Sequence, residues 1–306
     1  MNSALRNGMT LVELLVVVSI IVLLAAAAIP RLLPAMDRSR VREAARSVQL
    51  YLSAARNQAI ATGRSCGVMI AAENGCSTSL TQVETPPPYG GDSTSSTATA
   101  TLSGPVGGIA NFNISGVSPP PGKGDLIQIG YQGYWLISNG TSGTSACLDT
   151  SHGETPASTI TGPYKVLRWP TKSVASALEL PSPAVIDLTL SGTDPAGSSP
   201  TGFTGTSPVC IMFAPNGSVD WIAEDLNGRQ ITTPVYLLIG KRENVNDTST
   251  PPQSNLQDYS SLWVAINSVT GLIVTTDLAA VGDKTKPDVI YNSRAYARKS
   301  DAKGGK

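Results

Sequence analysis

The chain has 306 residues with 22 basic and 22 acidic side chains, so its formal charge is zero, and only 14% of its residues are charged. That balance excludes a bulk electrostatic attraction to nucleic acid or to an anionic membrane surface. Aromatics stand at 5% while Gly, Pro, Ser and Thr are abundant, a composition of extracytoplasmic β-rich domains with long loops rather than of a cytosolic enzyme.

The first 30 residues organise the chain. A short polar leader, MNSALRNG, ends at Gly8, and Met9 to Ile29 is then apolar except for Thr10, Glu13 and Ser19. As a helix this run would span ~31 Å, the thickness of a bilayer core. Its one carboxylate, Glu13, sits five residues past Gly8. A carboxylate in hydrocarbon costs roughly 2.5–3.5 kcal/mol even on a lenient scale, so it marks a functional site in search of a partner.

Gly8, Thr10, Glu13 and Pro30, with the apolar run between them, resemble the N-terminus of type IV prepilins and of type II secretion pseudopilins. The resemblance implies cleavage by a prepilin peptidase between Gly8 and Met9, N-methylation of Met9, an assembly role for Glu13 and Thr10, and a helix kink at Pro30. Met9 stands where the family usually has phenylalanine. Two plainer readings compete. A secretory signal peptide would use Arg6 as its basic region and cleave after Ala26-Ala27-Ala28, but Glu13 interrupts its apolar core. A plain single-span anchor leaves the Gly8 to Glu13 spacing unexplained. Counting basic residues places Arg6 against Arg31, Arg38, Arg40, Arg42 and Arg46, which would put the large domain in the cytoplasm. The resemblance implies the reverse, with the leader cytoplasmic and the head outside the bacterial inner membrane.

Beyond Pro30, Val41, Ala45, Val48, Leu52, Ala55 and Ala59 recur at spacings of four and three, the seam of an amphipathic helix, with Arg38, Arg42, Arg46, Arg56 and Glu43 off it. Those arginines read either as a solvated face or as contacts to neighbouring subunits. Gly63 suits a C′ position. Met9 to Thr62 would form one helix of ~80 Å. The run SVQLYLSAARNQAIATGRSCGVMI resembles H-type minor pseudopilins and T-type minor pilins, in which this helix leads into the first strand, here Cys66–Ala71.

Residues 84–122 read as a low-complexity mobile loop with at most a short strand at Ala110–Ile114. Strands are then expected at Asp125–Gly130, Gly133–Ser138, Tyr164–Trp169, Ala184–Leu190, Val209–Ala214, Val219–Ala223, Val235–Lys241, Leu262–Asn267 and Leu272–Thr276. Pro215-Asn216-Gly217 and Val269-Thr270-Gly271 are hairpin turn signals, and the two hairpins resemble those of H-type pseudopilins. Residues 283–306 read as a frayed basic tail.

Four cysteines, Cys66, Cys76, Cys147 and Cys210, show no zinc-ligand spacing, and no metal is expected. They are candidate disulfides, with Cys66–Cys76 closing a local loop and Cys147–Cys210 tying two strand regions; buried free thiols are the alternative. No phosphate loop, HExxH, GxSxG or dinucleotide motif is present. His152 reads as a loop residue, and Asp225-Leu226-Asn227-Gly228 as a turn rather than a calcium loop. The chain is expected to be no enzyme and to need no cofactor.

The fold class is α+β, a long N-terminal helix packed on an antiparallel β head as in pilins. The expected divisions are a leader (1–8), a membrane and assembly helix (9–30), an amphipathic helix (31–63), a β-rich head (64–282) and the tail (283–306). The expected function is that of a minor pseudopilin or pilin subunit. Its partners would be prepilin peptidase, other pilins of the filament, the inner-membrane assembly platform and the lipid bilayer. The alternative is a DNA-binding T-type minor pilin using Gly240-Lys241-Arg242 and the C-terminal arginines; on charge, nucleic acid is not the expected partner.

Overall fold

The computed structural model describes residues 11–106, 109–137, 146–149, 159–194, 201–224, 227–229, 231–245, 254–279 and 287–302. Helix α1 (Leu11–Thr62) passes through Pro30 and Pro34 as one element. All six residues of the expected seam are fully buried, with Ala44 beside them. Gly63, at φ +64°, ends the helix, and its N–H donates to the Ala59 carbonyl at 3.0 Å. This left-handed C′ residue satisfies a carbonyl the helix would otherwise leave open.

The strands follow in the order β1 (Cys66–Ile70), β2 (Cys76–Ser77), β3 (Ser79–Glu84), β4 (Thr97–Val106), β5 (Ile109–Ser115), β6 (Leu126–Ile129), β7 (Gln132–Ile137), β8 (Ala146–Asp149), β9 (Thr159–Leu167) and β10 (Thr171–Lys172). After them come β11 (Leu178–Glu179), β12 (Ala184–Thr193), β13 (Thr201–Gly202), β14 (Val209–Phe213), β15 (Val219–Glu224), β16 (Asn227–Arg229), β17 (Val235–Lys241), β18 (Leu262–Ile266) and β19 (Ile273–Asp277), and the chain closes on helix α2 (Pro287–Ala302). Every strand expected from sequence is present, and the pairing throughout is antiparallel. The head is thus more than one sheet.

The first sheet runs β10, β3, β1, β14, β15, β16, with β11 also on β3; the second runs β13, β12, β17, β18, β19, with β2 also on β12. Their inner faces close on the seam of α1. Val68, Ile70, Ile211 and Phe213 come from the first, and Ile186, Leu237, Ile239, Val264 and Ile266 from the second, in one continuous core. Strand β17 is buried along nearly its whole length because the far face of the second sheet is covered as well. There Tyr236, Leu238, Trp263 and Ala265 pack under α2 through Ala297 and Ile290. A sheet covered on both faces needs continuous apolar runs instead of alternation, which is what VYLLIG supplies.

The third sheet corrects the reading of residues 84–122. Strands β4, β5, β8, β7, β6 and β9 form a closed barrel. Its interior holds Ala98, Ala100, Ile114, Ile127, Ile129, Trp135, Ile137, Ile160, Tyr164 and Val166. The Thr97-Ala98-Thr99-Ala100-Thr101 stretch has period two, with the alanines fully inward and the threonines on the outside. Alanine is small enough to face the bulky isoleucines and tryptophan across a narrow barrel. What reads as low complexity is a strand whose inward residues happen to be small.

The chain enters this barrel after Glu84 and leaves it before Thr171, and those two residues are register partners on neighbouring strands. Glu84 also faces Cys66, which lies against the C-terminal end of α1 through the Thr62 hydroxyl. The barrel is therefore rooted at the end of the head farthest from Leu11. The tail expectation is likewise corrected: residues 287–302 are helical and docked, not frayed.

Candidate assembly helix and its anchorage in the head

From Leu11 to Leu24 every large apolar side chain of α1 is exposed, from Val17 at 43% to Leu11 at 79%. A helix that is apolar all round requires an apolar environment on every side. Glu13 lies in its first turn, and Ser19 folds its hydroxyl back onto the Val16 carbonyl at 2.8 Å, so the one hydroxyl of the stretch satisfies itself within the helix. Among the described residues no helix is long and apolar enough to cross a membrane. Leu11–Ala26 covers only about 24 Å at ~1.5 Å per residue. Gly8, Met9 and Thr10, on which the cleavage and methylation expectations fall, lie outside the described residues, as do the side chains from Ala27 to Ala35, Pro30 included.

The second half of α1 is clamped by polar bonds as well as by its seam. Arg56 Nε donates to the Gly217 carbonyl at 3.0 Å, and its Nη2 donates to the Thr270 carbonyl at 3.1 Å. Gln49 reaches the edge strand, giving Nε2–H to the Ile273 carbonyl at 3.0 Å and accepting from the Thr275 hydroxyl at 2.9 Å. Tyr51 donates to the Ser176 carbonyl and accepts from the Gln82 N–H, each at 2.9 Å, and Gln58 meets the Gln82 side chain. Sequence reading put Arg56 among the off-seam arginines; it is instead a bracket on two turns. Arg42 and Arg46 are exposed, and Arg40 pairs weakly with Asp37 at 3.9 Å.

Both expected turns form. Gly217 has φ +84° and Gly271 φ +63°, and a Cβ on Gly271 would stand 1.7 Å from the Gly217 carbonyl oxygen. The Val219 N–H bonds the Ser268 carbonyl at 2.8 Å, stitching the two sheets at that corner.

Lys241, Arg242 and Arg294 among the basic residues singled out from sequence are engaged, while Arg298 is exposed. Lys241 Nζ lies 3.2 Å from Asp258 and 3.8 Å from Glu243, and Arg242 lies 3.3 Å from Glu73. Burial would raise the Asp258 carboxyl, but its bonds from Ser260 and Lys241 outweigh this and hold it below the ordinary carboxylate range. Arg294 is 1% exposed, pairs with Asp194 at 2.7 Å and donates to the carbonyls of Thr193 and Leu190. Its guanidinium also lies 5.7 Å from the ring centres of Tyr236 and Trp263.

Of the two readings of the cysteines, the structure shows the free thiols at three positions. Cys66, Cys76 and Cys210 are buried free thiols, and burial pushes all three up, Cys210 to about 12. Cys66 faces Glu84 at one end of β1, while Cys76 lies beyond Ile70 at the other. That places them about 13 Å apart along the strand at ~3.3 Å per residue, too far for a disulfide. The Cys147 side chain lies outside the described residues, as does His152.

A buried polar node that sequence reading missed lies behind Cys76. Asp187 is 1% exposed and accepts from Thr189 Oγ1 at 2.7 Å, Asn255 Nδ2 at 2.9 Å and the Leu190 N–H at 3.3 Å. Burial still raises its carboxyl above the usual range despite these donors. Asn255 meanwhile accepts from the Lys241 N–H, so the node ties β12 and β17 to the 254–261 segment. Among the described residues no group of side chains is arranged to hold a metal ion.

Against this geometry, residues 4–29 match the family model described as the prokaryotic N-terminal methylation motif. The chain thus carries a type IV prepilin-like N-terminus, and this motif implies processing by a prepilin peptidase and assembly with other pilins. No curated protein and no solved structure matches the chain.

Proposed function

We propose that the protein is a minor pseudopilin or minor pilin. It enters a type II secretion pseudopilus or type IV pilus-like filament through α1, after cleavage between Gly8 and Met9 and methylation of Met9. The observation that carries this reading is the continuity of two halves of one helix. The motif at 4–29 leads without a break from an apolar stretch exposed on every side into a segment buried in the head. A filament of parallel helices supplies the apolar surroundings that the first half lacks. In it, Glu13 of one subunit pairs with the cationic Met9 amine of its neighbour, Thr10 lies at the same contact, and Pro30 bends the helix where it leaves the bundle.

The leader (1–8) is cytoplasmic, residues 9–30 cross the inner membrane before assembly, and the head from 31 onward is extracytoplasmic. The assembly platform of the inner membrane and the lipid bilayer are then its partners besides the other pilins. The α1 run resembles H-type pseudopilins and T-type minor pilins alike, and the two hairpins resemble those of the H-type. The T-type alternative, DNA capture through Gly240-Lys241-Arg242 and the C-terminal arginines, is weakened because Lys241, Arg242 and Arg294 are paired with carboxylates, which leaves Arg298 as its exposed arginine in α2.

Mass spectrometry of the N-terminal peptide isolated from cells tests the reading. It is expected to begin at N-methylated Met9; a first residue of Ile29 would establish a conventional signal peptide and remove the filament role.

A further inference from the structure

The barrel carries a surface on which the proposed assembly through α1 does not draw. Between β6 and β7 the chain turns in two residues, Gly130 at φ +61° and Tyr131 at φ +65°, with Ile129 paired to Gln132. Such a turn requires a left-handed backbone at both central positions, which glycine and asparagine accept and a bulky aromatic does not. Tyrosine nevertheless occupies the second position, and it is 85% exposed. At that exposure it buries little surface, and turn chemistry does not call for it. Strain of this kind, held at an exposed position, points towards recognition.

The turn abuts a hydroxyl-bearing wall. The Gly130 N–H donates to the Pro163 carbonyl at 2.8 Å, and a Cβ on Gly162 would stand 2.8 Å from the Gly130 Cα, so the turn lies directly against β9. Across β9, β4 and β5, register places Thr161, Thr99 and Ser115 in one row and Thr159, Thr101 and Asn113 in the next. All six are exposed or half-buried on the outer face, and Thr99 and Thr161 share a hydrogen bond at 3.0 Å. The rows carry no charge.

We propose that this face of the barrel, Tyr131 with the threonine rows of β4 and β9, binds a neutral polysaccharide. An exposed aromatic ring stacks on the apolar face of a sugar, and neighbouring hydroxyl and amide groups exchange hydrogen bonds with its hydroxyls. The six hydroxyl and amide positions supply no counterion release for nucleic acid and no complement to an acidic or basic peptide, and Lys165, exposed farther along the same face of β9, adds a single cation. The barrel that carries this face is rooted at the pole opposite Leu11.

The full chain, purified in a phosphocholine detergent so that no sugar headgroup competes, is incubated with microcrystalline cellulose and with chitin beads, and with a double-stranded DNA fragment in a gel shift. Retention on at least one polysaccharide is expected. Tyr131→Gly and Tyr131→Asn should each lower the retained fraction at least fivefold while leaving the thermal midpoint equal or higher, because both residues accept the turn. A merely structural tyrosine would show the stability change alone. No retention on either polysaccharide, equal retention of both variants, or a DNA shift without polysaccharide binding would overturn the proposal.

Discussion

Arg56 and Gly217 stand 161 positions apart in sequence, yet the guanidinium Nε of one donates to the carbonyl of the other at 3.0 Å. The second arm of the fork takes Thr270 at 3.1 Å, so one side chain on the assembly helix fixes the tips of both C-terminal hairpins. Hydrogen bonds from a charged donor contribute roughly 1.5–3 kcal/mol. Arg56→Ala should lower stability by about 2 kcal/mol, and Arg56→Lys should recover less than half, since a point charge cannot hold both carbonyls. Urea denaturation followed by circular dichroism measures both.

Gly271→Ala should cost more than either. Its added Cβ meets the Gly217 carbonyl at 1.7 Å and Arg56 Nε at 2.7 Å, on a backbone at φ +63° that disfavours any L side chain. Backbone cannot rotate away as a flexible side chain would, so the turns must part and Arg56 loses its seat. A melting curve of Gly271→Ala indistinguishable from wild type would contradict this packing.

Under α2, Arg294 and Asp194 form an ion pair in which the arginine is buried and the carboxylate only 10% exposed. Removing one partner of such a pair typically costs about 3–5 kcal/mol, because the other charge is left buried. Asp194→Asn is therefore expected to be severely destabilising, whereas the double replacement Asp194→Leu with Arg294→Met should restore most of the loss. The comparison of single and double variants by denaturant titration separates charge burial from packing.

Asp187 gives the head a pH dependence of defined sign. Its folded carboxyl is raised above the ordinary 3.8, so between that value and the folded one the native state holds a proton that the unfolded chain has released. Stability from this group is full below 3.8 and is lost as pH rises through the folded value. Asp187→Asn should remove that decline while shifting all midpoints by a constant, since the amide cannot accept from Thr189, Asn255 and Leu190 at once. Urea midpoints of both proteins across acidic to neutral pH should therefore converge as pH rises; parallel curves would show that Asp187 does not titrate differently on folding.

The parts of the fold legible in sequence were those in which one periodicity dominates. The seam from Val41 to Ala59 and the hairpins around Gly217 and Gly271 each bury one face and carry a turn residue that only one backbone suits. Strand β4 was hidden because its inward residues are alanines, too small to register as apolar alternation. Helix α2 was hidden because its docking face combines Ile290 and Ala297 with the polar Ser293 and Arg294, too few apolar residues to mark a seam. Trp263 Nε1 donates to the Ser293 hydroxyl at 2.9 Å, a partner set only by tertiary contact. Asp187 was invisible for the same reason: Thr189 and Leu190 donate from its own strand, but the partner that completes the node, Asn255, lies 68 residues away. The functional stretch was legible because its spacing, Gly8 to Glu13 before an apolar run, is local.

That stretch carries the most direct test. In hydrocarbon the Glu13 carboxylate is costly, and under the proposed function the amine that cleavage creates at Met9 of a neighbouring subunit would turn that cost into a contact that sets register. Glu13→Ala should thus leave cleavage between Gly8 and Met9 intact, in contrast to Gly8→Ala, which should block it, while abolishing crosslinking to partner pilins in sheared filaments. Processed Glu13→Ala protein entering filaments at wild-type levels would contradict the assembly role of α1.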